Sequence, residues 1–462
     1  MKLNTQFISV AFSEFCDRLS FYGLQSLLVI YFIHTFFLST KAAYTVYGSF
    51  SALAFAICIV GGLISDKFLT EIQTVFWGIF FMFIGNIILA ASGSLNIFYL
   101  GMTLIILGVG FIKPGASCLM GLIYKNKAKD KAFIYFYTIG SIGGIVGPVL
   151  YGVGIIYQKY WLGYAACAMI LLISIILLSS HLNSPALKSE RKTSWIVSGL
   201  SIFISLGVVY LILSAVISIL WLIIPAALVC LFLFFRMIQP LEKAKRPALY
   251  LLAIPIGASI IFFASLLQIF SSITVFIHNF VNTQIAGFNI PVTWFSSSES
   301  IFLLIISPFI ANLWSYLGKN GAYISEHAKL ALGLVATAIA FFLFSFGALI
   351  SHSDSSLSLI PILGGFLCFS IGELCVIPIS ILLITTRAPE KYKGMLMGIY
   401  YFALAASGYL AGLIAKFSPT DKHAQLGNLA HYFFLLGASV FLLTFLLVLL
   451  YRLINHYLIS PS

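Results

Sequence analysis

Apolar residues run through this chain in long unbroken blocks, not in the two-residue alternation of half-buried strands or the one-sided stripe of surface helices. A bilayer core is crossed by roughly 20 apolar residues. On that length the blocks predict fourteen membrane helices, at about 8–37, 43–65, 73–93, 97–124, 131–157, 162–181, 195–214, 216–237, 248–280, 290–318, 328–350, 358–386, 394–416 and 428–458. Ten-residue segments of alternating hydrophobicity, the mark of an outer-membrane barrel, do not occur in it. The pattern is that of an all-α polytopic membrane protein.

Composition excludes the other classes. The 462 residues are 61% hydrophobic and 8% charged, against about 25% charged in soluble domains. A mean hydropathy of +1.08 is equally far from disorder. Seven cysteines fall inside apolar blocks without a CxxC pair, so they read as small hydrophobes and not as disulfides or metal ligands. The N-terminal block carries Glu14, Asp17 and Arg18. A cleavable signal would not hold three charges in its apolar core, and no cleavage is expected.

The net charge of +12 is explained by topology. Nineteen of the twenty-five Lys and Arg fall on the side of the N-terminus, among them Lys125, Lys127, Lys188, Arg191, Lys192, Arg236, Lys243, Lys245, Arg246, Arg387 and Lys391. Four (Lys41, Lys159, Lys416, Lys422) fall on the other side, and Arg18 and Lys113 lie inside spans. Positive charge collects in cytoplasmic loops, so both termini are expected in the cytoplasm of a bacterial-type inner membrane. No nucleic-acid partner is implied. The KNKAKDKA run (125–132) reads as a cytoplasmic loop with some anionic-lipid contact.

The spans group as six, two and six. We expect an N-terminal six-helix bundle over 1–183, a linker with two extra membrane helices over 184–247, and a C-terminal six-helix bundle over 248–462. Two such halves make a major facilitator fold, whose solute site lies at the midplane between them. GGLISDKF (61–68) fits that superfamily's loop pattern of Gly, three residues, Asp and a base, although its usual basic continuation is replaced by LTE.

Six ionisable groups remain inside spans: Glu14, Asp17, Arg18, Lys113, Glu299 and Glu373. Each would cost about 2.5–3.5 kcal/mol at a helix centre if unpaired, so they must face one another or a wet cavity. Glu14, Asp17 and Arg18 share one helix face, continued by Phe21, Tyr22 and Gln25. Lys113 and Glu373 sit on the fourth helix of each half, some 22–24 Å below its outer end at about 1.5 Å per residue. One half thus offers a cation and the other an anion. Four acids against two bases suit either proton carriage or binding of a cationic group.

The residues then resemble a known family, the proton-dependent oligopeptide transporters. EFCDRLSFYG (14–23) is similar to that family's ExxERFxYYG, and GVGFIKPGASCLMGLIY (108–124) to its GTGLxKPNxSxLxGxLY. FIYFYTIGSIGGIVGP (133–148), GFNIPVTWFSSSESIF (287–302) and FSIGELCVIPISILLITTRAP (369–389) track its fifth, eighth and tenth helices. Bacterial members also carry the extra helix pair. The resemblance implies proton coupling through Glu14, Asp17, Arg18 and Lys113. It implies a substrate site of Arg18, Tyr22, Gln25, Phe55, Lys113, Ser141, Gln268, Glu299, Glu373 and Tyr400, with Glu373 meeting an ammonium group and the two cations a carboxylate.

Departures from the family pattern bear on the substrate. Asp17 replaces a Glu, Gln25 a basic residue, Phe21 and Phe55 tyrosines, Ser141 and Glu299 asparagines, and Tyr400 a Trp. Leu267 stands where an acid usually precedes the Gln, here Gln268, which puts coupling by that route in doubt. The reading is a proton-coupled symporter of di- or tripeptides or peptide-like amines working by alternating access. The alternative is a major-facilitator carrier of another small solute, such as a cationic amine, amino-acid derivative or drug-like compound. Neither reading involves a cofactor, a metal or an enzyme activity, and a monomer is expected.

Overall fold

The computed structural model describes residues 5–123, 129–182, 195–215, 217–239, 246–285, 287–321, 324–350, 359–389, 392–419 and 425–455. The basic loop residues Lys125, Lys127, Lys188, Arg191, Lys192, Lys243, Lys245, Lys391 and Lys422 lie outside them. Helices α1 (Thr5–Thr35), α2 (Thr40–Lys67), α3 (Glu71–Ala91), α4 (Leu95–Ile123), α5 (Lys129–Ile156), α6 (Trp161–Ser179) and α7 (Trp195–Leu213) come first. They are followed by α8 (Leu220–Ile238), α9 (Arg246–Tyr250), α10 (Ala253–Leu266), a 3-10 turn (Leu267–Phe270) and α11 (Ser272–Phe280). Strands β1 (Gln284–Ile285) and β2 (Phe288–Asn289) form a small antiparallel hairpin. Last come α12 (Val292–Lys319), α13 (Glu326–Ile350), α14 (Leu359–Arg387), α15 (Lys393–Ala415) and α16 (Leu426–Ile454).

Among the described residues, 12 spans are long and apolar enough to cross a membrane. The two remaining predicted spans are also helical: α1, which carries Glu14, Asp17 and Arg18, and α7, whose apolar stretch is Gly199–Leu213. The polytopic all-α architecture therefore stands as the hydropathy predicted it. Two details differ. The span expected as one helix over 248–280 breaks at the 3-10 turn, and the β hairpin was not anticipated. Of the cysteines, Cys16, Cys167 and Cys375 are buried as expected, Cys58, Cys230 and Cys368 only partly, and Cys118 is exposed.

The chain divides into two compact units, Met1–Ile219 with Gln284–Ser300, and Leu220–Thr283 with Ile301–Ser462. The first turns of α12 thus belong to the first unit, where Trp294 Nε1 donates to the Val149 carbonyl at 3.1 Å and Ser297 Oγ to that of Ile145 at 2.8 Å. Each unit repeats one packing plan. In the first, α3 lies along α4 and α6, and α1 along α5; in the second, α13 lies along α14 and α16, and α10 along α15.

In lipid no hydrophobic force draws helices together, so close approach of small residues and buried hydrogen bonds must do it. A knot of hydrogen bonds sets α1 against α3 and α5. Tyr151 Oη donates to Asn86 Oδ1 at 2.7 Å, and Asn86 Nδ2 donates to Ser20 Oγ at 2.8 Å. The α1–α5 crossing is so tight that a Cβ on Gly143 would be driven into the Phe15 carbonyl oxygen. That oxygen is backbone and cannot step aside. Gly143→Leu should therefore destabilise the protein by more than the ~1–3 kcal/mol of ordinary overpacking. The check is thermal unfolding in detergent, beside Gly199→Leu, where a Cβ meets nothing within 4 Å.

Candidate functional site: a membrane-embedded charge cluster

Helix α1 presents Glu14 one turn before the adjacent Asp17 and Arg18, and the first unit brings each a partner. Arg18 Nε donates to Glu14 Oε1 at 3.0 Å on the same helix. Its Nη1 reaches α5, donating to Ser141 Oγ at 3.3 Å, and the guanidinium stacks over the Tyr137 ring at 4.5 Å. Lys113, from α4, donates through Nζ to Asp17 Oδ2 at 3.1 Å. Asp17 is fully buried, and its second oxygen, Oδ1, has no hydrogen-bond partner among the described residues.

Two opposite charges in a poorly solvated interior attract far more strongly than in water, but each pays a desolvation cost. Pairing makes the cluster tolerable within the membrane. It also makes it responsive, because adding or removing a proton unbalances a pair. The space around the Glu14–Arg18 pair is already filled: a Cβ on Gly140 would lie 2.8 Å from Glu14 Cγ and 3.0 Å from Arg18 Nε.

Gln25 is fully buried further along α1 and donates to Tyr47 Oη at 3.3 Å and Ser51 Oγ at 3.1 Å. Its own oxygen has no partner among the described residues. Tyr22 and Phe55 are half-buried in the same unit. Glu299, on the α12 turns held by α5, is buried and accepts from Ser300 Oγ at 3.2 Å. A Cβ on Gly144 would touch both Ser300 Oγ and the Tyr22 ring at 3.6 Å. Glu299 thus joins Tyr22 and the two charge pairs within one unit, although its sequence position assigned it to the C-terminal bundle.

The other expected site residues lie in the second unit. Glu373 is half-buried on α14, five residues before the helix proline Pro378. It stands about 21 Å along its helix from Leu359, and Lys113 about 27 Å along α4 from Leu95. Tyr400 is buried near Ser259 and Glu373. Gln268 differs most from expectation. Its Nε2 donates to the carbonyls of Ala264 and Ala411, and its Oε1 accepts from Ser271 and Ser272. Three of its four hydrogen-bonding positions are spent on the break between α10 and α11 and the fourth ties that break to α15, so the amide has none left for a ligand.

Sequence reasoning missed Tyr137, Tyr47 and Ser51. A signal existed for each: Tyr137 precedes Ser141 by four residues, and Tyr47 precedes Ser51 by four, the spacing that stacks side chains on one helix face.

Comparison with known proteins places this architecture. The sequence profile of the POT family (PTR2) matches residues 72–184 and 231–429. The peptide transporter YePEPT of Yersinia enterocolitica is 25% identical over 96% of this chain and 94% of its own length. The uncharacterized transporter YclF of Bacillus subtilis is 28% identical over 94% and 92%. The crystal structure of a peptide transporter POT in complex with sulfate superposes with a TM-score of 0.84 at 22% identity, covering 98% of this chain and 95% of that one. A POT family transporter in complex with 5-aminolevulinic acid does so with a TM-score of 0.84 at 19% identity, covering 97% and 96%. The fold is that of the major facilitator transporters, and with its profile matched over most of its length the chain belongs to the POT family, as a multi-pass membrane transporter and not an enzyme.

Proposed function

We propose that the protein is a proton-coupled symporter of di- or tripeptides or peptide-like amines, working by alternating access. The observation that carries this reading is the two ion pairs on α1, Glu14–Arg18 and Asp17–Lys113, each a buried carboxylate with a half-buried cation. A proton arriving on either carboxyl frees a cation, and a freed cation can take the substrate's carboxylate. Charge-assisted hydrogen bonds of this kind fix the polarity of docking, and Glu373 supplies the opposite sign for an ammonium group. Named peptide transporters among the relatives support the solute class.

The second reading, a carrier of another amine-bearing solute, is favoured by the residues that flank the pairs. Gln25 gives this wall a neutral amide and Glu299 gives it a further carboxylate. A structural relative holds 5-aminolevulinic acid, which has an amine and a carboxylate but no peptide bond. On either reading the protein works as a monomer in the inner membrane, with both termini in the cytoplasm and the basic loops setting that orientation.

Counterflow of a labelled dipeptide into proteoliposomes, competed by dipeptides, tripeptides, polyamines and 5-aminolevulinic acid, separates the two. Competition by peptides alone supports the first reading, and competition by amines without peptide bonds the second. In the same assay Glu299→Gln should weaken competition by substrates carrying an extra positive charge by about tenfold, the ~1.5 kcal/mol lower range of a hydrogen bond to a charged group. Unchanged selectivity would remove Glu299 from the site.

A further inference from the structure

The second unit carries a cavity of about 410 Å³ between α10, α13 and α16, built from residues with no part in the proposed transport. Its lining is sorted by depth. Ser325, His327, Tyr451 and Arg452 stand at the mouth, where α13 begins and α16 ends, whereas Val335 and Thr444 lie further in. His327 to Val335 and Arg452 to Thr444 are each eight residues, about 12 Å of helix. One leaflet of a bilayer core is about 15 Å deep. The slot is therefore polar at one end, apolar at the other, and nearly as deep as a single leaflet.

The mouth is also basic. Arg452 lines the cavity with an exposed side chain. Glu326 at this end faces Arg387, with Oε2 and Nη2 3.7 Å apart. Lys329 lies over the Trp314 ring at 5.4 Å. His327 is only 8% exposed and stacks on Tyr451 at 4.2 Å between ring centroids, which makes a firm wall between α13 and α16. A larger cavity of about 750 Å³, between α8, α10, α15 and α16, is lined by no charged side chain. Nothing in that one distinguishes one lipid from another.

We propose that the slot between α10, α13 and α16 binds one anionic phospholipid, its phosphate at Arg452 beside Ser325 and His327 and one acyl chain running inward over Val335 and Leu447. Basic pockets between membrane helices take anionic headgroups by this chemistry, and one cation near such a headgroup is worth about fivefold in affinity. The chain occupies the apolar depth, where each buried methylene adds to binding. The site does not depend on which solute is carried.

The test is thermal unfolding of the full chain in neutral detergent, titrated with phosphatidylglycerol or phosphatidylcholine. Phosphatidylglycerol should stabilise at about fivefold lower concentration. Arg452→Gln should erase that preference while binding the two lipids alike. Ala331→Trp, which fills the slot from α13, should weaken stabilisation by both lipids. Equal affinity of the unaltered chain for the two lipids overturns the proposal, as does a preference that survives in Arg452→Gln. Should Arg452→Gln fail to fold, undiminished lipid stabilisation of Ala331→Trp overturns it, and reduced stabilisation together with the unaltered chain's preference upholds it.

Discussion

Lys113→Ala should abolish proton-driven uptake while leaving exchange of substrate across the membrane within about tenfold of the original rate. Lys113 is the cation that meets Asp17, which is fully buried and has no hydrogen-bond partner on its other oxygen among the described residues. Breaking a buried pair by removing one partner costs about 3–5 kcal/mol, because the remaining charge is uncompensated. States of the cycle in which Asp17 is ionised then fall in population by at least a hundredfold, at about 1.4 kcal/mol per decade. Exchange needs only the rocking of loaded protein and does not pass through those states. Initial rates with and without a pH gradient give the comparison. Adding Asp17→Asn to Lys113→Ala removes the stranded charge, so the double variant should regain thermal stability but not driven uptake. Equal loss of uptake and exchange in Lys113→Ala would make Lys113 a substrate contact and not a coupling residue.

Glu373→Gln should abolish measurable binding of substrates with a free amine and leave their N-acylated analogues untouched. Glu373 is a half-buried carboxylate on a membrane helix, five residues before a proline that interrupts that helix's regular bonding. Truncating one member of a buried, hydrogen-bonded charge pair costs about 2–5 kcal/mol, or roughly thirtyfold and upward in affinity. Gln keeps the shape but removes the charge and turns one acceptor oxygen into a donor nitrogen, so packing is not disturbed. Isothermal titration with matched free and N-acetylated dipeptides isolates the charge. Parallel weakening of both would show that Glu373 acts on the pocket's shape and not on the ammonium group.

Much of this was legible in the sequence because lipid imposes a simple rule: a helix must satisfy its own backbone and cannot afford a stray charge. Long apolar blocks gave the helices, and Glu14, Asp17, Arg18 and Lys113 stood out as charges that had to pair. What stayed hidden were facts of packing. Nothing in the local pattern says that Glu299 sits with the first unit, because Trp294 and Ser297 fix it there by bonds to carbonyls some 150 residues away in sequence. Gln268 looked like a polar group awaiting a ligand, but a helix break supplies donors and acceptors that hydropathy cannot foresee. Tyr137 was missed for the opposite reason. Its i, i+4 spacing to Ser141 was readable, but an aromatic residue on an apolar helix carries no signal until a guanidinium is found above it.

The central claim is that the α1 pairs couple solute entry to protons, and uptake into proteoliposomes tests it most directly. Vesicles of the purified protein are given an inward proton gradient, an equal and opposite salt gradient, or none, with labelled dipeptide, tripeptide and polyamine outside. Concentrative uptake that follows the proton gradient, collapses with a protonophore and is lost in Asp17→Asn is the predicted result. Uptake of any of these solutes at the same rate without a pH gradient, or undiminished in Asp17→Asn, would contradict it.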